Sequence, residues 1–405
     1  VVVVPGAAGQ ASVFQPSVVS PRPASYTPVV LDDPATPPSA VYAFAQVGST
    51  MYAGGAITTV QNAARTRTFS RHNLFAFNAT TGAILAFAPV FDGPVWTITA
   101  SPGGRSLFIG GEFSSVNGIV SPGLVRYDLA AKRFDPGFAP ALNGSVTDSA
   151  LVGGRLMVAG SFPAGLAALN PATGADTGYV NLALSGTSSP SAGPTRVYRF
   201  AVNPAGDRIV AIGNFTAVSG SPRAQAFMVL LGATATLGPW HAPRLDLACN
   251  SSHPAYLRDV DFSPDGTYFA MVATGGGAQG TVGFCDAAGR WEANDDPNAE
   301  PTWINWTGGD SLYSVAATGA AVYVGGHQRW LDNPFGNDSA GPGAVPRPGI
   351  GAIDPVTGQA LDWNPTKTRR VGAQALYATA TGLWVGSDGE LFAGEFHKDI
   401  AFCPL

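Results

Sequence analysis

Charge is what this chain has least of. Only 12% of its 405 residues are Asp, Glu, Lys or Arg, and the balance between them is −5. There is no basic footprint for nucleic acid and no acidic tail, so a polyanionic partner is not expected. Long apolar runs are missing too, since nothing approaches the roughly 18 residues of a membrane-spanning helix. The catalytic signatures are equally absent. The sequence holds no Gly-x-Ser-x-Gly, no His-Glu-x-x-His, no phosphate loop and no Asp-x-Asp-x-Asp-Gly calcium loop, so no catalytic residue, metal or cofactor is assigned. Histidines number five and are scattered.

Abundant instead are glycine, proline, serine, threonine and alanine, and they are arranged in a repeat. From Val95 the chain reads Val-Trp-Thr-Ile-Thr-Ala, a Ser-Pro-Gly-Gly turn, then Leu-Phe-Ile-Gly-Gly-Glu-Phe from Leu107 and Leu-Val-Arg-Tyr-Asp from Leu124. Each run has the β-branched and aromatic content of a strand, and each gap carries turn residues. The glycine element returns at Gly54-Gly55, Ala159-Gly160, Ile212-Gly213, Thr274-Gly275, Gly325-Gly326 and Gly386-Ser387. A turn with Asx at its head and Gly at its end returns at Asn78–Gly82, Asn170–Gly174 and Asp354–Gly358. The period of roughly 50 to 60 residues is that of a propeller blade, and a sheet this small must be covered by neighbours of its own kind. The expectation is all-β: a single seven-bladed β-propeller over 39–405 with four-stranded antiparallel blades.

Residues 1–38 then have two assignments. Val1–Val4 followed by small residues reads either as the remnant of a signal peptide or as an ordinary terminal strand. Further on, Pro28-Val29-Val30-Leu31-Asp32 reads as an outer strand that completes the last blade and closes the ring. First strands would line the central channel. Counting two residues from the aligned starts Val41, Val95, Val146, Val197, Leu257, Leu312 and Leu376 gives one face of each strand, with Asp148, Arg199 and Asp259 on successive blades. These three are expected to form an ionic cluster in the channel, in a structural role. Of the three cysteines, Cys249 falls in the connection leading into the fifth blade and Cys285 on that blade's third strand. A disulfide between them is favoured over two buried thiols and points to an oxidising compartment. Cys403 reads as a small core residue.

The Gly-Gly-Glu-Phe elements with their Asp/Asn-x-x-Thr-Gly turns resemble the delta-60-type β-propeller repeat of secreted bacterial proteins, often actinobacterial. Tyr323–His327 with Arg329-Trp330, Arg347–Ile350, Trp363–Pro365 and Gly382–Asp388 are similar to the closing blades of such proteins. The pattern departs from it after Thr274-Gly275-Gly276, where the aromatic is missing. The resemblance implies the fold and secretion; it brings no activity or catalytic residues.

Function then rests on loops. Those between second and third strands share a face with the links between blades, and two are long, Gln61 to Arg71 and His327 to Gly349. Trp303, Trp306 and Trp330 fall in adjoining loops of that face, with His327, Arg329 and Asp332 beside them. Aromatic planes take sugar CH faces while carboxylates and amides take hydroxyls, so the expected function is a secreted or cell-surface module that recognises a glycan or a protein there. The same residues serve equally to pin their own loops. A carbohydrate-active lyase or glycoside hydrolase, or a structural module in a larger surface assembly, are the alternatives.

Overall fold

The computed structural model describes residues 12–35, 38–189, 192–249, 255–275 and 283–405. Val1 to Ala11, on which the signal-remnant reading falls, lie outside the described residues, as does Gly276. Among the described residues there is no α-helix, only a 3-10 turn at Pro243–Asp246, and no helix is long and apolar enough to cross a membrane. All the rest of the regular structure is strand.

The strands form a series of small antiparallel sheets. Seven of them begin with Ala40–Val47, Val95–Ala100, Val146–Val152, Arg196–Val202, Tyr256–Phe262, Leu312–Ala317 and Ala373–Thr379; they are sheets one to seven below. Each first strand forms a hairpin with the next strand, and a third strand pairs on the far side. Sheets two, four and five have a fourth strand. In sheets one, three and six the fourth position shrinks to single bridges, Phe77 with Ile84, Leu169 with Asp176 and Ile353 with Ala360. The Asx turns between third and fourth positions form as expected. The Asn78 carboxamide accepts the Thr80 and Thr81 N–H groups at 2.9 Å, and Asp354 accepts those of Val356 and Thr357 at 2.8 Å.

First strands lie side by side in chain order, and that of sheet seven also lies against that of sheet one. Apolar side chains fill every seam between consecutive sheets. One cluster joins Val41, Phe44, Ala53 and Phe75 of sheet one to Trp384, Ile400 and Phe402 of sheet seven. Another joins Val210, Ile212 and Met228 to Phe262, Phe269 and Met271 across sheets four and five. At about 1.5–3 kcal/mol for each fully buried large side chain, these seams hold the structure together. No sheet has a core of its own.

One irregularity recurs in all seven sheets. The pairing of first and second strands slips by one residue between Val41 and Ala43, Val95 and Thr97, Val146 and Asp148, Val197 and Arg199, Leu257 and Asp259, Leu312 and Ser314, and Ala373 and Ala375. This is a β-bulge, which leaves an extra residue on the first strand and re-aims it. It also accounts for the glycine element. Opposite the bulge stand Gly55, Gly111, Gly160, Gly213 and Gly326, where a Cβ would run into the carbonyl oxygen of Ala40, Pro94, Ser145, Arg196 and Ser311 respectively. Ala273 and Ser387 occupy the same place in sheets five and seven. The bulge in sheet seven corrects one alignment: its equivalent residue is Ala373, three before Leu376.

The N-terminal segment departs from expectation in detail. Val29–Leu31 does not pair with the last strand; it pairs with Thr59–Gln61, in a small sheet completed by Thr68–Ser70. Residues upstream run beside the last strand instead, where Ser20 N–H donates to Pro404 O at 2.6 Å and Ala24 N–H to Phe402 O at 2.8 Å. The cause is the long loop after Gly55, which folds into a hairpin with an open edge. Val29 and Val30 are buried there, with Val30 in the cluster of Ile57, Val60 and Phe75.

Candidate functional site: the mouth of a central cavity

The loop residues singled out by their sequence prove to be occupied with one another. Trp303 is buried in the seam between sheets five and six, and its indole N–H donates to Pro355 O at 3.0 Å. Trp306 is a strand residue paired with Ala287 and is half-buried. Asp332 is a clasp: one carboxylate oxygen accepts from the Asn305 amide, the other from Ala360 N–H at 3.0 Å. Arg329 forks onto Asp310, with Nε and Nη2 at 2.8 and 3.0 Å, also pairs with Asp338, and lies 4.5 Å over the half-buried Trp330 ring. Arg369 reaches the same Asp310 carboxylate at 3.0 Å.

His327 links this cluster to the centre of the molecule. Its Nε2 accepts the Ser311 N–H at 3.1 Å, which makes the ring neutral and leaves Nδ1–H to donate to the Tyr313 hydroxyl, also at 3.1 Å. Burial pushes its pKa below the ordinary histidine value, with Asp310 pulling upward and Arg369 downward. A second grouping, Asp388 and His397 beside the exposed Glu390, is likewise tied into the fold. Asp388 accepts the Val371 and Gly372 N–H groups at 2.9 Å, and His397 Nδ1 bonds Thr27 Oγ1 at 2.9 Å.

The bulges place a second set at the centre, in which Tyr313 and Tyr198 bond His327 and Ala192 O while the side chains of Tyr42, Trp96 and Gln374 make no hydrogen bond among the described residues. Tyr42, Trp96, Thr147, Tyr198, Arg258, Tyr313 and Gln374, one from each first strand, together line a cavity of about 360 Å³. Arg196, Arg199, Tyr256 and Glu112 complete its wall. Glu112 follows the second strand of sheet two and Arg196 starts the first strand of sheet four, so this mouth opens on the face of the long loops. The rings form a nearly continuous wall. Tyr42 stacks on Trp96 with centroids 4.4 Å apart and planes 21° apart, and Tyr198 meets Tyr256 at 5.8 Å. Guanidiniums flank the tyrosines: Arg196 lies 5.0 Å over Tyr198, and Arg258 lies 5.5 Å from Tyr256 and 4.6 Å from Tyr313.

Of the residues expected to form an ionic cluster, Arg199 lines this mouth and Asp148 and Asp259 lie beneath it, with no direct ion pair to Asp259 among the described residues. Arg199 donates to the carbonyls of Thr147 at 3.1 Å and Trp96 at 3.4 Å, and pairs with Asp148 at 4.0 Å. Both aspartates also tie neighbouring sheets together, Asp148 accepting Phe200 N–H and Asp259 accepting Val315 N–H, each at 3.0 Å. Burial lifts the Asp259 carboxyl to about 6, against the pull of Arg199 and of its backbone donors. Asp148 is raised for the same reason. Beyond Arg199 a smaller cavity of about 110 Å³ continues toward the opposite face, where Asn203, Pro204 and Gly206 of a first-to-second-strand turn line it. Buried Asp261 also faces it, and its carboxylate accepts Ala317 N–H at 2.8 Å.

Sequence reasoning by alternation placed Asp148, Arg199 and Asp259 toward the centre but sent the intervening residues away from it. The bulge brings those to the centre as well. Its signal was in the sequence, in the glycine opposite five of the seven bulges together with an aromatic one residue after the aligned start in Tyr42, Trp96, Tyr198 and Tyr313.

Cys249 and Cys285 are joined in a disulfide, with Cα atoms 6.2 Å apart. Cys285 precedes the third strand of sheet five rather than lying on it, and Cys403 is buried and free.

No family model and no curated protein matches the chain. Among solved structures, the chain is similar to the crystal structure of the computationally designed Ika8 protein, 10% identical over 91% of this chain and 97% of that one, with a TM-score of 0.48. The architecture therefore rests on the strand pairing and seams described above.

Proposed function

We propose that the chain is a seven-bladed β-propeller of the delta-60-like kind its repeat resembles, exported to the cell surface or beyond, and that it works as a glycan-binding module. The blade reading is supported by seven sheets in cyclic neighbourhood and by one bulge repeated at the same place in each. Export is supported by the Cys249–Cys285 disulfide, a bond that persists in oxidising compartments.

The single observation that carries the binding reading is the mouth itself, a concave site with half-exposed aromatic planes contributed by bulges from around the ring. Its volume is at the small end of ligand pockets, about 300–1,000 Å³, and suits the end of a sugar chain. Stacked rings such as Tyr42 and Trp96 offer an apolar platform for a sugar face, and the tyrosine hydroxyls and Gln374 offer hydrogen bonds at its edge. The binding surface is thus the long-loop face, at its centre rather than on its rim.

The test is a polysaccharide and oligosaccharide panel scored for binding and for new reducing ends in the same wells. Saturable binding without product, weakened by Trp96→Ala, is the expected result. Release of product would move the assignment to a glycosidase or lyase, and silence across the panel would leave a protein partner or an assembly role.

A further inference from the structure

The mouth has a charge, and it points to an acidic ligand. Eight arginines form ion pairs; of those that form none among the described residues, Arg196 and Arg258 are the two that line this mouth. Their nearest described partners are tyrosines: Arg258 Nη1 donates to Tyr256 Oη at 3.2 Å, and Arg196 covers the Tyr198 ring. The Arg196 Nε is buried and has no hydrogen-bond partner. What sets these two apart is position: both guanidiniums stand on the wall of one cavity, beside the same pair of tyrosines. The third, Arg199, is already engaged with Asp148 and two carbonyls. The one carboxylate in the upper wall, Glu112, is solvent-exposed and makes no ion pair among the described residues.

Building on the glycan reading above, we infer that the mouth selects a sugar bearing a carboxylate, a uronic acid residue at or near a chain end. The tyrosine pair Tyr198–Tyr256 sits between the two guanidiniums, so a sugar ring laid on these planes puts a carboxylate substituent within reach of Arg196 on one side or Arg258 on the other. A guanidinium is suited to this, because its fork matches a carboxylate in plane and it keeps its charge at any working pH. Stacking on the tyrosines holds both forks in place before the ligand arrives, which lowers the ordering cost of binding. A neutral sugar would use the same rings and leave both cations unmatched.

The experiment uses paired oligosaccharides that differ only in their terminal residue, glucuronic acid against glucose and galacturonic acid against galactose. Free glucuronate is a further arm, and binding is measured by calorimetry at two salt concentrations. The expected result is about tenfold or greater preference for the acidic member, weakening with salt. Arg258→Gln and Arg196→Gln should each shrink that preference several-fold, read as the ratio of acidic to neutral affinity in the same variant, with the melting temperature in place. Free glucuronate binding nearly as well as the oligosaccharide assigns recognition to the terminal acid alone; much weaker binding assigns it to the acid together with the adjoining residue. Equal affinity for acidic and neutral members, or a preference untouched by both substitutions, overturns the acidic ligand while leaving the glycan site standing. Binding of neither member overturns both.

Discussion

The rim cluster around Arg329 and the mouth around Trp96 use the same kinds of side chain to opposite ends. On the rim, Asp310 holds two arginines, Asp332 closes onto Asn305 and Ala360, and Trp303 is buried under the next loop. These polar groups have been answered by the fold, although the buried Gln328 amide between His327 and Arg329 has not. At the mouth, Arg196 and Arg258 touch tyrosines alone and Trp96 faces the cavity beside Tyr42. A cluster of Trp, Arg, His and Asp in adjoining loops therefore says little about binding until its internal bonds are counted. Groups left with unmatched hydrogen-bonding capacity or charge are the ones a ligand can use.

Both regions hang from the same bulge, so the largest effect should come from removing it. Gly111→Val puts a branched side chain where the Pro94 carbonyl and the Phe113 ring lie and should cost about 3 kcal/mol. Denaturant unfolding measures this, and a value within 0.5 kcal/mol of wild type, on the order of a neutral surface change, would refute the steric account of the repeat. Asp310→Ala comes next. It leaves Arg329 and Arg369 without their shared carboxylate; because these arginines keep 28% and 38% of their side-chain exposure, the loss should be about 2 kcal/mol rather than the full value for a buried pair. Ligand affinity should stay put, which separates rim from mouth. Trp96→Ala is the mirror image, with stability within about 1 kcal/mol of wild type and a loss of about 2 kcal/mol in affinity, roughly thirtyfold.

The smallest effect is one of pH. Asp259 is lifted to about 6 and Asp399 to about 7, mainly by burial. Between the ordinary carboxyl value and these, each of the two carboxyls holds its proton in the folded protein and loses it in the unfolded chain, so their contribution to stability should fall as pH rises from about 4 to 7, against a smaller opposite contribution from the buried His327 and His397. Thermal melting across that range should drop by a few degrees, and Asp259→Asn should flatten part of the slope. A melting temperature rising over the same interval would show that the floor of the mouth is not as desolvated as its geometry indicates.

How far the sequence led follows from the same features. The repeat was legible because most of the small sheets share a glycine opposite the bulge and several share one turn, so Asn78, Asn170 and Asp354 announced their turns in the sequence. Val29 and Val30 were legible as a strand but not in their partner, because pairing depends on an edge created far along the chain by Thr59–Gln61. Asp148, Arg199 and Asp259 were placed at the centre by alternation, whereas Tyr42, Trp96, Tyr198 and Tyr313 were missed because a bulge resets that alternation. Trp303, Trp306 and Trp330 illustrate a different point. Sequence shows that an aromatic is present in a loop, and only packing shows whether its face is covered.

The measurement that bears most directly on the account is a side-by-side affinity comparison of wild type, Trp96→Ala and Trp330→Ala against the oligosaccharide that binds wild type best, with melting temperatures recorded for all three. The account predicts that Trp96→Ala loses binding and keeps its fold while Trp330→Ala keeps binding. Loss confined to Trp330→Ala would place the site on the rim and contradict it.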